Sequence, residues 1–147
     1  MIPEGASILI ADDNEDDRFL LTEAVRLAGI SAPVRLVEDG RKAVEYLSGA
    51  GGYSDRTQFP MPSLVILDYK MPLKNGLEVL GWIRASELKR LPVLILSASS
   101  LPGDVERAYD LHVNAYLMKP SSLEDLTRLM RAVDAFWLGF NEYPRVS

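Results

Sequence analysis

Four short stretches carry side chains that can do chemistry together: Asp12-Asp13-Asn14-Glu15, Asp68, Ser97 and Lys119. Each has an ordinary explanation by itself. Asp13 or Asn14 can cap a helix, Ser97 can be a satisfied strand-end hydroxyl, and Lys119 can be a surface charge. Taken together, Asp12, Asp13 and Asp68 are carboxylates that would raise one another's pKa unless a cation lay among them. Magnesium, with manganese as the alternative, suits such a site. It is a hard ion that takes carboxylate, carbonyl and water oxygens and commonly shares them with phosphate. The Asp68 carboxylate would then attack phosphorus and form an acyl phosphate. Phosphoryl transfer is mostly positioning and charge stabilisation. The metal would neutralise one phosphoryl oxygen, the Lys119 ammonium a second, and the Ser97 hydroxyl would donate to a third.

That chemistry requires the four stretches to meet, and the pattern of elements says where. SILIAD (7–12), PVRLVED (33–39), LVILD (64–68), PVLILS (92–97) and AYLM (115–118) read as strands. Between and after them come helical patterns over 15–28, 41–47, 76–88, 103–111 and from about 121 to 138. In the first of these, Phe19, Leu20, Ala24 and Leu27 fall at helical spacing, and in the third Leu77, Leu80 and Ile83 face inward. Ser121-x-x-Glu124 has the form of a capping box. Residues 48–63, with Gly49, Gly51, Gly52, Pro60 and Pro62, read as a long exposed loop. Strands followed by crossover helices pair in parallel with helices on both faces, which their near-continuous apolar runs support. The expected fold is a doubly wound α/β domain with a five-stranded parallel sheet. In such sheets ligands bind beyond the carboxyl ends of the strands, where all four stretches fall.

Composition narrows the options. The chain has 147 residues, enough for one domain with a full core, with 48% hydrophobic and 25% charged residues. It has no cysteine and one histidine, His112, which excludes disulfides, thiolate metal sites and a multi-histidine centre. A net charge of −5 disfavours non-specific nucleic-acid binding. No apolar run is long enough to cross a bilayer, and MIPEGAS at the start lacks the features of a signal peptide, so a cytoplasmic location is expected.

The motifs ILIADDNEDD, VILDYKMPLKNG, PVLILSAS and AYLMKP together resemble the receiver domain of bacterial response regulators, the family of the chemotaxis response regulator. The resemblance covers the chain from Ser7 to about Leu138, leaving a short tail over 139–147. It implies the flavodoxin-like strand order 2-1-3-4-5. It implies that Asp68 is the phosphoacceptor, that Asp13 is a direct magnesium ligand and that Asp12 is a second acid acting directly or through water. The backbone carbonyl of Lys70 would be the third protein ligand. Ser97 matches the hydroxyl switch position, where it lacks the methyl of threonine, and Lys119 matches the family's lysine. Tyr116 fits the aromatic switch position and equally fits a plain core or edge tyrosine. The resemblance also implies a cis Lys119–Pro120 bond. The Lys70 side chain falls beside the acceptor, where it could meet the phosphoryl group or the attacking water. The implied phosphodonor is a sensor histidine kinase. The 48–63 loop and the FWL sequence (136–138) are similar to the small response regulators of bacterial phytochrome kinases, so a bacteriophytochrome is the implied partner.

The sequence ends soon after the last helical pattern, so a stand-alone regulator acting through protein contact is expected. Along that helix Leu123, Leu126, Met130, Val133, Trp137 and Phe140 repeat at three-four spacing, with Leu129 and Phe136 on a neighbouring line. Leu126, Met130 and Val133 read as core. Phe136, Trp137 and Phe140 lie near or beyond the reach of the sheet, and as an exposed apolar patch they suggest homodimerisation. His112 reads as a solvated loop or cap residue. Three other readings compete. A pseudo-receiver would be expected to lack part of the site. A flavin protein would need a phosphate-cradling loop where Asp12–Asp17 stand. A phosphohydrolase would need a second acid for the leaving group, which Tyr69-Lys70 does not supply.

Overall fold

A computed structural model of the chain describes residues 5–142 and Pro144. The part of the N-terminal stretch before Gly5, and residues 143 and 145–147 of the tail, lie outside the described residues. Strands β1 (Ile8–Ala11), β2 (Val34–Val37), β3 (Leu64–Leu67), β4 (Val93–Ser97) and β5 (Ala115–Met118) alternate with helices α1 (Glu15–Ala28), α2 (Gly40–Ser48), α3 (Gly76–Ala85), α4 (Pro102–Asp110) and α5 (Leu123–Val133). The sheet is fully parallel with order β2-β1-β3-β4-β5, as expected for the doubly wound flavodoxin-like arrangement. Every residue of β1, β3 and β4 is buried, because helices cover both faces. One core layer joins Leu9, Val65, Leu67, Val93 and Ile95 to α2, α3 and α4. The other joins Ile8, Ile10, Ile66, Leu94 and Leu96 to α1 and α5. Among the described residues no helix is long and apolar enough to cross a membrane.

Local chemistry sets the boundaries. Asn14 accepts from the Asp17 amide and caps α1, and Gly29, at φ 72°, ends it in the left-handed conformation. The inward face of α1 is Leu21 and Ala24 with Leu20 packed beside them, so Leu20 and Ala24 face the core as their spacing suggests while Phe19 and Leu27 point outward. Helix α3 stops three residues before the expected 88. The Ser86 hydroxyl bonds the Ile83 carbonyl and accepts from the Leu88 amide, drawing the backbone out of the helix. Ser122, not Ser121, caps α5, its hydroxyl accepting from the Asp125 amide at 3.1 Å. Both serines have an acid three residues later, so the pattern alone was degenerate.

The 48–63 loop is not simply exposed. Tyr53, tilted, and Phe59, edge-on, pack against Tyr46 of α2, with ring centroids 5.1 and 6.0 Å away, and the Tyr46 hydroxyl donates to the Pro60 carbonyl. Arg56 donates to the carbonyls of Tyr46 and Leu47 at the end of α2 and to Phe59. The loop is held by aromatics and two guanidiniums, Arg56 and, from β2, Arg35, which donates to the Gln58 carbonyl; its glycine and proline content concealed this.

After α5 the chain widens into a π-helical segment, Asp134–Phe140, which closes with the Asn141 amide on the Phe136 carbonyl. The wider turn changes the phase of the stripe. Leu126, Met130 and Val133 are core as expected, but the next inward residue is Leu138. Trp137 is half-buried against the same core, with Phe136 set edge-on to it, and Phe136 and Phe140 are exposed.

Candidate functional site

The parallel ladders continue one residue past the ends of β1, β3 and β5. The Asp12 amide donates to Val37, the Asp68 amide to Ala11 and the Lys119 amide to Ser97. These bonds bring the ends of β1, β3, β4 and β5 to one rim. The loop after Asp68 is pinned by Gly76 at the start of α3, whose amide donates to the Tyr69 carbonyl. A Cβ on Gly76 would lie 2.5 Å from the Asp68 carbonyl oxygen, so only glycine allows this approach.

At the rim, carboxylate oxygens of Asp12, Asp13 and Asp68 lie within 4.8 Å of one another. Asp12 is buried and Asp13 exposed. The Asp12 carboxylate also accepts from the Asn14 amide, which orients it. Burial pushes the Asp68 carboxyl up to about 6; the Lys119 ammonium opposes this, and the charges of Asp12 and Asp13 add to it. Three oxygen donors with mutual repulsion fit a hard divalent cation, whose charge would remove that repulsion.

Lys119 is 12% exposed and its Nζ lies 2.6 Å from Asp12, 2.8 Å from Asp17 and 3.8 Å from Asp68. Burial works to lower its pKa, but the bonds to Asp12 and Asp17 and the charges of Asp12 and Asp68 outweigh this and raise it. Asp17 was not among the residues singled out in the sequence. Its only signal was its place in the acidic run after β1, one helical turn past the Asn14 cap. The Lys119–Pro120 bond is trans, not cis; all described peptide bonds are trans. The trans form of an X–Pro bond is intrinsically favoured, and Lys119 reaches the rim without the cis bond.

Ser97 is buried at the end of β4, and its Oγ accepts from the Ser99 amide at 3.0 Å. Tyr116 is turned toward the core, its hydroxyl donating to the Ser99 carbonyl at 2.7 Å. Lys70 follows in the loop after Asp68, but its ammonium lies 4.4 Å from the centroid of the Tyr69 ring, a cation–π contact instead of one with the Asp68 carboxylate. The Tyr69 hydroxyl donates to the buried carboxylate of Asp104 on α4, which also takes a bond from the Ser99 hydroxyl and pairs with Arg107. His112 is exposed at the end of α4 with φ 63°, a cap position. Phe136, Trp137 and Phe140 lie on the last segment, apart from this rim.

The response regulator receiver domain family matches residues 8–131. Response regulator Rcp1 of Synechocystis sp. is 36% identical over 132 residues, 89% of this chain and 88% of that protein. The crystal structure of its Mn2+-bound form superposes with a TM-score of 0.84 at 35% identity, covering 95% of this chain and 99% of that one. The phosphorylated cyanobacterial phytochrome response regulator RcpA gives 0.86 at 35% identity, with the same coverage. RPA3017, a response regulator in red light signalling of R. palustris, gives 0.89 at 34% identity, again covering 95% and 99%. A doubly wound sheet carrying acids, a hydroxyl and a lysine at its carboxyl rim defines the receiver class of signalling proteins. The chain belongs to the response regulator receiver-domain family, and it is a two-component response regulator similar to Rcp1 and to the phytochrome-associated regulators.

Proposed function

We propose that Asp68 accepts a phosphoryl group from the phosphohistidine of a sensor histidine kinase. An Asp68 oxygen bonds to phosphorus while the P–N bond to the kinase imidazole breaks. The imidazole leaves with the electron pair and takes a proton from solvent. Asp12, Asp13, Asp68 and the Lys70 carbonyl would hold Mg2+ or Mn2+, which supplies positive charge to a phosphoryl oxygen when bound. Lys119 neutralises a second oxygen and the Ser97 hydroxyl donates to a third. Drawing the Ser97 hydroxyl toward the phosphoryl group repacks the loop after β4 that Tyr116 holds and changes the face of α4, β5 and α5. The chain is in this reading a single cytoplasmic receiver domain that catalyses only its own phosphorylation and dephosphorylation, and signals by phosphorylation-dependent protein contact. Similarity to phytochrome-associated regulators supports a bacteriophytochrome as the kinase. The exposed Phe136 and Phe140, with Trp137, support a homodimer through the last segment.

The observation that carries this reading is the convergence of the Asp12, Asp13 and Asp68 carboxylates within 4.8 Å, with the Lys119 ammonium 3.8 Å from Asp68. Its test is intact-protein mass after incubation with a small-molecule phosphodonor, with Mg2+ or with chelator. A Mg2+-dependent gain of one phosphoryl group that Asp68→Asn abolishes is the expected result. No gain in any condition would overturn it.

A further inference from the structure

Two carboxylates hold Lys119 closer than the acceptor does. Asp17 lies 2.8 Å from its Nζ and Asp12 2.6 Å, while Asp68 is 3.8 Å away. The backbone of Asp17 cannot follow the ammonium if it moves. It sits in the first turn of α1, where its amide is tied to the Asn14 side chain at 2.9 Å. The positive end of the helix stabilises its charge there. Lys119 is largely shielded from water, so its choice among these partners is a competition between carboxylates more than with solvent.

We propose that Asp17 is a positioning residue that holds Lys119 back on the α1 side of the rim, so that taking up a phosphoryl group at Asp68 requires Lys119 to exchange Asp17 for a phosphoryl oxygen. This deepens the phosphoacceptor reading and rests on it. Asp17 lowers the affinity of the rim for a phosphoryl group by offering the ammonium a competing anion. Asp12 does not act in the same way, because its position among the acids that face Asp68 keeps Lys119 at the site whichever partner it takes.

The test is beryllofluoride binding, a phosphoryl mimic, measured by calorimetry at saturating Mg2+ on wild type, Asp17→Asn and Asp17→Ala. Each is also measured in a Lys119→Met background. Both single variants are expected to bind about two- to fivefold tighter than wild type, the range of a partly exposed ion pair. The gain is expected to vanish in the Lys119→Met background. Unchanged or weaker binding by the single variants would overturn the proposal. So would an equal gain without Lys119, which would make Asp17 a bulk charge effect. Failure of the wild type itself to bind beryllofluoride would instead strike the phosphoacceptor reading. Thermal melting of each variant checks that the comparison is among folded proteins.

Discussion

The Tyr69 hydroxyl lies 3.1 Å from the Asp104 carboxylate, joining the loop after Asp68 to the first turn of α4. Both side chains are buried, and Asp104 also takes a bond from the Ser99 hydroxyl, whose backbone carbonyl receives Tyr116. The residue after Asp68 and the loop after β4 therefore meet through one carboxylate, and the aromatic on β5 joins them through the Ser99 carbonyl. Each partner depends on the others, because an unpaired polar group left in this setting costs more than a made bond gains.

Asp104→Ala is expected to destabilise the fold by about 1–3 kcal/mol, since it strands the Tyr69 and Ser99 hydroxyls. Tyr69→Phe should cost about 1 kcal/mol. The double variant should fall short of the sum, because both substitutions remove the same bond. Urea unfolding of the three variants reads this directly.

Gly76→Ala forces a Cβ to within 2.5 Å of the Asp68 carbonyl oxygen. The loop or the start of α3 must shift, at a cost of about 1–3 kcal/mol. Because the displaced atom belongs to Asp68, phosphorylation by a small-molecule donor should slow in addition. A rate equal to wild type would show that the loop absorbs the methyl without moving the acceptor.

Asp68 makes stability fall with rising pH when no metal is present. Its pKa is pushed to about 6 in the folded chain, above the ordinary 3.8, so between these values the folded state binds more protons than the unfolded one. Its ionisation therefore removes stability as pH rises from about 4 through 6. In chelator at pH 7, Asp68→Asn should be more stable than wild type by roughly 1–2 kcal/mol, allowing for solvent screening. The advantage should shrink as pH falls toward 4, and melting curves across that range check it.

Mg2+ should reverse that order. At a hundredfold excess over Kd, binding to the folded state alone adds about 2.7 kcal/mol. The wild-type melting temperature should rise with Mg2+, and the rise should be absent in Asp13→Asn, which removes an exposed carboxylate of the proposed metal site without disturbing the core.

The last segment allows packing and the proposed dimer contact to be tested separately. Phe136→Ser with Phe140→Ser should leave stability nearly unchanged, since both rings are exposed, and should give a monomer by light scattering. Leu138→Ala should cost about 2–5 kcal/mol, because Leu138 is fully buried.

Much of this was legible in the linear order of residues. Apolar runs such as LVIL and VLIL, alternating with helical patterns, leave parallel pairing with helices on both faces as the way to bury them. That arrangement carries Asp12, Asp13, Asp68, Ser97 and Lys119 to one rim, because each follows or ends a strand. What the sequence could not set were relationships through space. Lys119 pairs with Asp17 across 102 residues, and only the packing of α1 against α5, with both the first turn of α1 and the residue after β5 at one rim, makes that acid a neighbour. The 48–63 loop has the composition of an exposed loop, yet Tyr53, Phe59 and Arg56 find surfaces on α2 that no local pattern announces. The widened turn after α5 moves the buried position to Leu138, because hydrogen bonding, not spacing, sets how many residues a turn contains. By itself the sequence determined which elements form and which residue types stand at their ends, since both follow from local periodicity and the need to bury apolar surface. Only the tertiary structure decided which of several equivalent partners each side chain takes, because that choice depends on distances between segments remote in the chain.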